Sequence, residues 1–441
     1  MNADIQTKQE RQATQELPVA EAAWKKSAHA IFAGSVGNAV EWFDWSIYTS
    51  FAMYFGKQFF PAGNETASLL ATFAVFAVGF GMRPLGGWVI GAFSDRYGRR
   101  SALTLTIVMM AGSSLVIALL PTYKTIGVLA PILMTVLRML QGLSVGGEYG
   151  AATTFLTESA PANRRGFYGS FLFFSVAVGL LTASALAWAM TDYMSRQALE
   201  AYGWRIPFLL GSCGSVIGFW IRRNVAETES FEKLRRSGGI KHLSLLWTWT
   251  HHRSAVLRLL GISVLGAFSF YLFISFMPIY AIRHAGAIPT DAFAASTASI
   301  AIFMISQPFF GALSDRFGRR PQLMVFASLY LLFLYPVVMS IGPGFQSMLL
   351  VECFELLSYG LYSAIAPSIM AELFSTDVRG VGIGAAYNLV VALLGGTTPY
   401  LMTWLQSMHR EGWFLAYVCV GAAVSLITYW RMPETKGTTL E

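Results

Sequence analysis

Gly91-Ala92-Phe93-Ser94-Asp95-Arg96-Tyr97-Gly98-Arg99-Arg100 is a charged turn between two apolar runs, and the chain uses it twice. Ser94-Asp95-Arg96-Tyr97-Gly98-Arg99-Arg100 returns 220 residues later as Ser314-Asp315-Arg316-Phe317-Gly318-Arg319-Arg320. Two further pairs follow in the same order. Glu158…Arg165-Gly166 matches Glu372…Arg379-Gly380, and Glu227-Thr228 matches Glu434-Thr435. Ordered matches with a slowly drifting spacing indicate a duplicated chain. Parallel repeats in a membrane protein are related by an axis along the membrane normal, with a cavity between the halves.

Composition places the duplication in a bilayer. Of 441 residues, 55% are hydrophobic and 12% charged, against about 25% charged in a soluble domain. Mean hydropathy is +0.52. The net charge of +7 reads as Lys- and Arg-rich cytoplasmic loops, not as a nucleic-acid surface. Cys213, Cys353 and Cys419 lie far apart in apolar runs, so neither a disulfide framework nor a zinc site is indicated. The His251-His252 pair has no nearby acids and reads as part of a basic loop, so no metal and no cofactor is expected.

A span needs about 20 mainly apolar residues. Twelve fit: 29–56, 68–92, 101–121, 127–157, 166–191, 204–222, 255–282, 291–314, 322–341, 346–374, 379–404 and 413–431. The expected fold is an all-α integral membrane protein, with twelve transmembrane helices in two pseudo-symmetric six-helix bundles. Its parts are a tail over 1–27, bundles over 28–222 and 255–431, a polar linker over 223–254, and a tail over 432–441. Residues 1–27 lack the apolar core of a cleavable signal. With both termini cytoplasmic, the outer loops carry only Lys57, Lys124, Arg196, Arg283 and Arg410, which is the bias the positive-inside rule demands.

Ionisable residues inside spans are expensive and usually functional. The first span carries Asn38, Glu41, Asp44 and Tyr48 at helical spacing, so that side cannot face lipid. The second span carries Arg83, the fourth Arg138, Gln141 and Glu148, the tenth Glu352 and Glu355, and the eleventh Asn388. The repeat sets Glu352 against Arg138 and Glu355 against Gln141, so a shared polar stripe is expected to line the cavity. Gly142, Gly146 and Gly150 form a close-packing ridge, and no GKS or GKT follows to make a phosphate cradle. Arginines at membrane depth attract anions, and a guanidinium fork grips a carboxylate. Buried carboxylates beside them can exchange protons as a neighbouring cation or substrate moves.

Gly91…Asp95-Arg96-Tyr97-Gly98-Arg99-Arg100 resembles the signature loop of the major facilitator superfamily, and Arg138-x-x-Gln141-Gly142 its fourth-span motif. Val40-Glu41-Trp42-Phe43-Asp44, Met82-Arg83-Pro84-Leu85-Gly86-Gly87, Gln141–Gly150 and Gly203-Trp204-Arg205-Ile206-Pro207-Phe208 resemble the metabolite:proton symporter family, and within it the α-ketoglutarate permeases. The resemblance covers about 28 to 435. It implies alternating access, proton coupling, import of a small carboxylate with α-ketoglutarate first, a place in the inner membrane, and action as a monomer. It further implies that Asp44 pairs with Arg138 as the proton-responsive set, with Glu41 the runner-up; the in-span acids Glu148, Glu352 and Glu355 are further coupling candidates on the residues alone. Arg83, Arg138, Gln141, Tyr48, Tyr271 and Asn388 are the candidate substrate contacts. The charged turn is expected to gate: Asp95 sits at a helix start or pairs with Arg99 or Arg165, with Arg96, Asp315 and Arg319 in the same set.

Two rivals remain. A betaine or proline symporter would hold its amine in an aromatic cage, for which Trp42, Trp45, Tyr48, Tyr271 and Tyr359 are available. Citrate and shikimate are further family substrates. A membrane enzyme or sensor finds no nucleophile–base pair, metal cluster or nucleotide motif in the sequence.

Overall fold

The computed structural model describes residues 37–61, 63–97, 99–158, 160–223, 249–374 and 379–438. Within them run twelve long helical passages. The first six are α1 (37–59), α2 (Glu65–Gly81, resumed as Arg83–Tyr97), α3 (Arg99–Leu119), α4 (Leu129–Glu158), α5 (Arg165–Tyr193) and α6 (Arg205–Arg223). The second six are α7 (Arg253–Ser269, a π-helical turn Phe270–Phe276, then Met277–His284), α8 (Pro289–Phe317), α9 (Arg319–Met339), α10 (Phe345–Ser363 and Ala366–Glu372), α11 (Arg379–Val390, a π-helical turn Val391–Gly395, then Thr398–Ser407) and α12 (Glu411–Arg431). Most of the expected linker and residues 29–36 of the expected first span fall outside the described residues.

The interruptions have a common cause. Each lies within about one turn before a proline: Pro84, Pro278, Pro367 and Pro399. A proline ring clashes with the carbonyl four residues back, and the helix widens or breaks there.

Eight of the passages are long and apolar enough to cross a membrane by composition alone: α2, α4, α5, α7, α8, α9, α10 and α12. Three of the others dilute their apolar content for local reasons: in α1, Asn38, Glu41 and Asp44 face inward, α11 is broken by its π turn, and α6 carries arginines at both ends. The described part of α3 includes the apolar stretch Thr104–Leu119.

Trp88, Ile217, Leu332, Leu350, Val420 and Trp430 are exposed, while Arg83, Arg138, Arg319, Asp44, Gln141 and Glu355 are buried. An apolar skin over a charged interior calls for lipid outside. The two six-helix bundles meet where α5 runs along α8 and where α11 packs on α2 and α4.

Candidate functional site

The site is built where α2 and α4 touch backbone to backbone. A Cβ on Gly142 would stand 1.9 Å from the Gly79 carbonyl oxygen, and one on Gly146 1.9 Å from that of Arg83. Only glycine permits this approach. It brings Arg83 and Arg138 to a single indole, with guanidinium carbons 4.8 and 4.2 Å from the Trp45 ring.

Aromatic rings cover the faces of both guanidinium groups. Arg138 lies 4.1 Å from the Tyr48 ring, and Arg83 lies 3.9 Å from Phe80 and 5.3 Å from Trp42. Such contacts hold a cation in an apolar interior by its flat side. The edges tell a different story. Nη1 of Arg138 donates to Gln141 Oε1 at 2.5 Å, and Nη1 of Arg83 donates to the Tyr271 hydroxyl at 3.3 Å. Nε and Nη2 of both arginines are buried with no hydrogen-bond partner. Those two nitrogens form the side-on fork of a guanidinium, the edge that takes a carboxylate in two parallel bonds. A buried donor left unpaired costs about 1–3 kcal/mol, more when charged, so both forks are donors in want of an acceptor.

Behind Arg138 lies a fully bonded carboxylate. Gln141 Nε2 donates to Asp44 Oδ2 at 2.5 Å and to Ser114 Oγ at 2.9 Å, and Ser114 Oγ donates to Asp44 Oδ1 at 2.5 Å. The direct Asp44–Arg138 pair expected from sequence is therefore corrected to a relay. Gln141 accepts from Arg138 with its amide oxygen and donates to Asp44 with its amide nitrogen, so it links the two.

The remaining candidates divide. Glu41, Glu148, Tyr149, Tyr387, Asn388 and Arg83 line one narrow cavity between the halves. There Tyr149 of α4 stacks on Tyr387 of α11, with centroids 4.1 Å apart. Asn388 donates across the halves to the Gly146 carbonyl at 3.1 Å. Tyr48 turns its hydroxyl to the Thr72 carbonyl at 3.0 Å, leaving only its ring at the site. Glu352 and Glu355 do not join the polar stripe as expected. Glu352 accepts from Ser296 Oγ at 2.7 Å and Ser299 Oγ at 2.6 Å, inside the second bundle. Glu355 is buried with no hydrogen-bond partner on either oxygen. The rotation of α10 turns both acids toward α8 and α9. Of the five proposed cage aromatics, four already pack on the arginines or each other, and Tyr359 stacks instead on Phe303.

The α8–α9 turn docks on the first turn of α5. Asp315 Oδ1 and Oδ2 accept the backbone N–H groups of Gly166 and Phe167, each at 2.9 Å. A carboxylate at a helix N-terminus satisfies orphan donors and the helix dipole together. Arg319 bonds Asp315 at 2.8 Å and Glu372 at 3.4 Å, and Arg165 donates to the Thr438 carbonyl. The side chains of Asp95, Arg96 and Arg99 lie outside the described part of the structure. At the opposite end Arg283 of α7 donates to Thr66 of α2 at 2.8 Å, and Thr290 donates to the Thr191 carbonyl at 3.2 Å. The halves are joined at both ends around a narrow cavity, which is a closed conformation.

Sequence reading passed over Ser114, Phe80, Tyr149 and Tyr387. Ser114 had a signal, as a polar residue within an apolar run. The aromatic residues had none, because aromatic rings are common in any membrane helix.

An apolar skin, two helical halves and an anion-ready interior closed at both ends define a multi-pass membrane transporter, not an enzyme. The chain belongs to the Major Facilitator Superfamily, whose signature matches residues 34–399. It is 40% identical to the alpha-ketoglutarate permease of Escherichia coli (strain K12), over 90% of this chain and 92% of that one. It is 34% identical to the glycine betaine/proline/ectoine/pipecolic acid transporter OusA of Dickeya dadantii, over 93% and 84% of the two chains. Identity to the citrate-proton symporter of Klebsiella pneumoniae is 35%, over 85% and 84%. The fold is that of the E. coli xylose transporter XylE in a partially occluded inward open conformation, with a TM-score of 0.74 at 19% identity, covering 94% of this chain and 99% of that one.

Proposed function

We propose that the chain is a proton-coupled symporter of the bacterial inner membrane, with both termini cytoplasmic, that imports a small dicarboxylate, α-ketoglutarate first. The observation that carries this reading is the pair of open guanidinium forks on Arg83 and Arg138. Two forks suit two carboxylates. A betaine carries one carboxylate and a cation, and the ring faces that would hold the cation are occupied by the arginines themselves. The relatives named for α-ketoglutarate and for citrate with protons support an anionic substrate and proton coupling.

The relay supplies a coupling route. A proton on Asp44 removes the negative charge that Gln141 holds toward Arg138. Arg83 and Arg138 then present two uncompensated positive charges, which a dicarboxylate matches. Proton and anion thereby favour each other's binding, and linkage makes the preference mutual. Neutralisation also lowers the cost of moving the loaded cavity through the closed state. Asp315 on the α5 N-terminus would hold the cytoplasmic end shut while the other end opens.

The test is counterflow in proteoliposomes, with labelled α-ketoglutarate challenged by α-ketoglutarate, citrate, shikimate and betaine. α-Ketoglutarate should exchange and betaine should not compete. Betaine exchange that survives Arg83→Ala would sink the dicarboxylate reading.

A further inference from the structure

The coupling route uses neither Tyr149 of α4 nor Tyr387 of α11. Their rings face each other across the two halves, with centroids 4.1 Å apart and planes 11° from parallel. Both line the narrow cavity that Arg83 also lines. The walls of that cavity are unequal. The first bundle supplies Trp42, Arg83, Val145 and Leu172 among others, while the second supplies Tyr387 and Asn388 alone among the described residues.

The packing fixes where the ring pair stands. Gly146 lies against the Arg83 carbonyl at a separation that only glycine permits. Tyr149 follows three residues later on the same helix, so its Cα lies about 4.5 Å further along the axis. Asn388, the neighbour of Tyr387, donates to the Gly146 carbonyl at 3.1 Å and to the Gly384 carbonyl of its own helix at 2.8 Å. That bond ties α11 to α4 at the level of Arg83. The Tyr149 hydroxyl reaches Met370 Sδ on the second part of α10 at 3.8 Å, which braces the other ring. Two stacked, braced rings make a stiff wall, and close-packed surroundings yield little to an added methylene. A dicarboxylate held by Arg83 and Arg138 is fixed at both ends. Added methylenes must bow out between them, and the cavity beside Arg83 is the room they have. The ring pair bounds that room from the second half.

We propose that the Tyr149–Tyr387 pair sets the length of dicarboxylate that the closed cavity accepts. Four- and five-carbon acids fit beneath the rings. Six- and seven-carbon acids press on them and keep the halves from closing. The inference rests on the dicarboxylate reading and adds the residues that choose within that class.

Competition in proteoliposomes tests it, with counterflow of labelled α-ketoglutarate by the whole chain challenged by succinate, glutarate, adipate and pimelate. The wild type should favour glutarate over pimelate. Tyr387→Ala should raise the potency of pimelate relative to glutarate by about ten-fold, the effect of burying two methylenes that the ring now turns away. Tyr387→Phe keeps the ring and should keep the wild-type ratio. The ratio separates this role from a structural one. Losing a contact between the halves weakens every acid alike, whereas a wall acts on the long ones. A ratio unmoved in Tyr387→Ala, or moved as far in Tyr387→Phe, overturns the proposal. If Tyr387→Ala does not fold, Tyr387→Leu should move the ratio the same way by a smaller factor, and an unmoved ratio there overturns the proposal equally. A wild type that exchanges none of these acids sinks the dicarboxylate reading itself, while exchange with an unmoved ratio sinks only the choice of length.

Discussion

Gln141 in α4 and Glu355 in α10 hold the same place in the two repeats. Gln141 reaches Ser114 on α3 and Asp44 on α1. Glu355 faces Tyr330 on α9, beyond which lies Ser269 on α7. The scaffold is duplicated helix for helix, while the chemistry is inverted. The first bundle presents fixed cations and a carboxylate with every oxygen bonded. On α10 the second buries Glu352 and Glu355 with no Lys or Arg paired to them among the described residues, its buried Arg319 pairing instead with Asp315 and Glu372. Helix packing depends on small residues and ridge spacing, which tolerate such changes at the buried face. The repeat therefore constrains where a polar group can sit, not what charge it carries. The fixed cations, and with them the edge suited to a carboxylate, lie in the first bundle.

The largest effect should come from the forks. Arg83→Ala or Arg138→Ala removes two charge-assisted bonds, each worth about 1.5–3 kcal/mol, so initial uptake rates under a proton gradient should fall by about 100-fold or more. Arg83→Lys keeps the charge and loses the planar fork, and should recover only part of the rate. Equal activity of the Lys and Arg proteins would mean that charge alone recruits the substrate.

Making the first bundle resemble the second is the next break. Gln141→Glu would place a carboxylate where an amide now takes the Nη1 hydrogen of Arg138. Ionised, it neutralises Arg138 and weakens substrate binding, by about ten-fold for 1.4 kcal/mol. Protonated, it does not. Uptake by the variant should therefore rise as pH falls, over a range where the wild type is flatter. A variant whose pH profile overlays the wild type would show that Gln141 does not govern the charge at Arg138.

How much of this could be read from residues alone differs by level. The repeat, the spans and the inward groups Arg83, Arg138, Gln141 and Asp44 were legible, because charge in an apolar run has few permitted places. Which groups meet was not. The relay through Gln141 depends on the gap between α1 and α4, and the turn of Glu352 toward Ser296 and Ser299 depends on the rotation of α10. Both are set by tertiary packing, to which spacing within one helix is blind. Ser114 belongs to the same class, since a serine in a span is as often bonded to its own helix as to a partner.

The smallest effect tests the two charged turns against each other. Asp315 caps α5 from the other half, through Gly166 and Phe167. By the offsets of the repeat, Asp95 is expected to do the same for the helix beginning at Arg379-Gly380, against which α2 packs. Asp315→Asn keeps an acceptor and loses the charge, at about 1 kcal/mol for a cap with its dipole contribution. That is close to five-fold in the balance between closed and open at this end. Hydrogen exchange at the first turn of α5 should quicken by about that factor, with substrate affinity unchanged. Asp95→Asn should do the same at residues 379–383 and leave α5 alone. If Asp95→Asn instead loosened α5, the two turns would act as one latch, and the symmetry between the halves would extend to their switching as well as their scaffold.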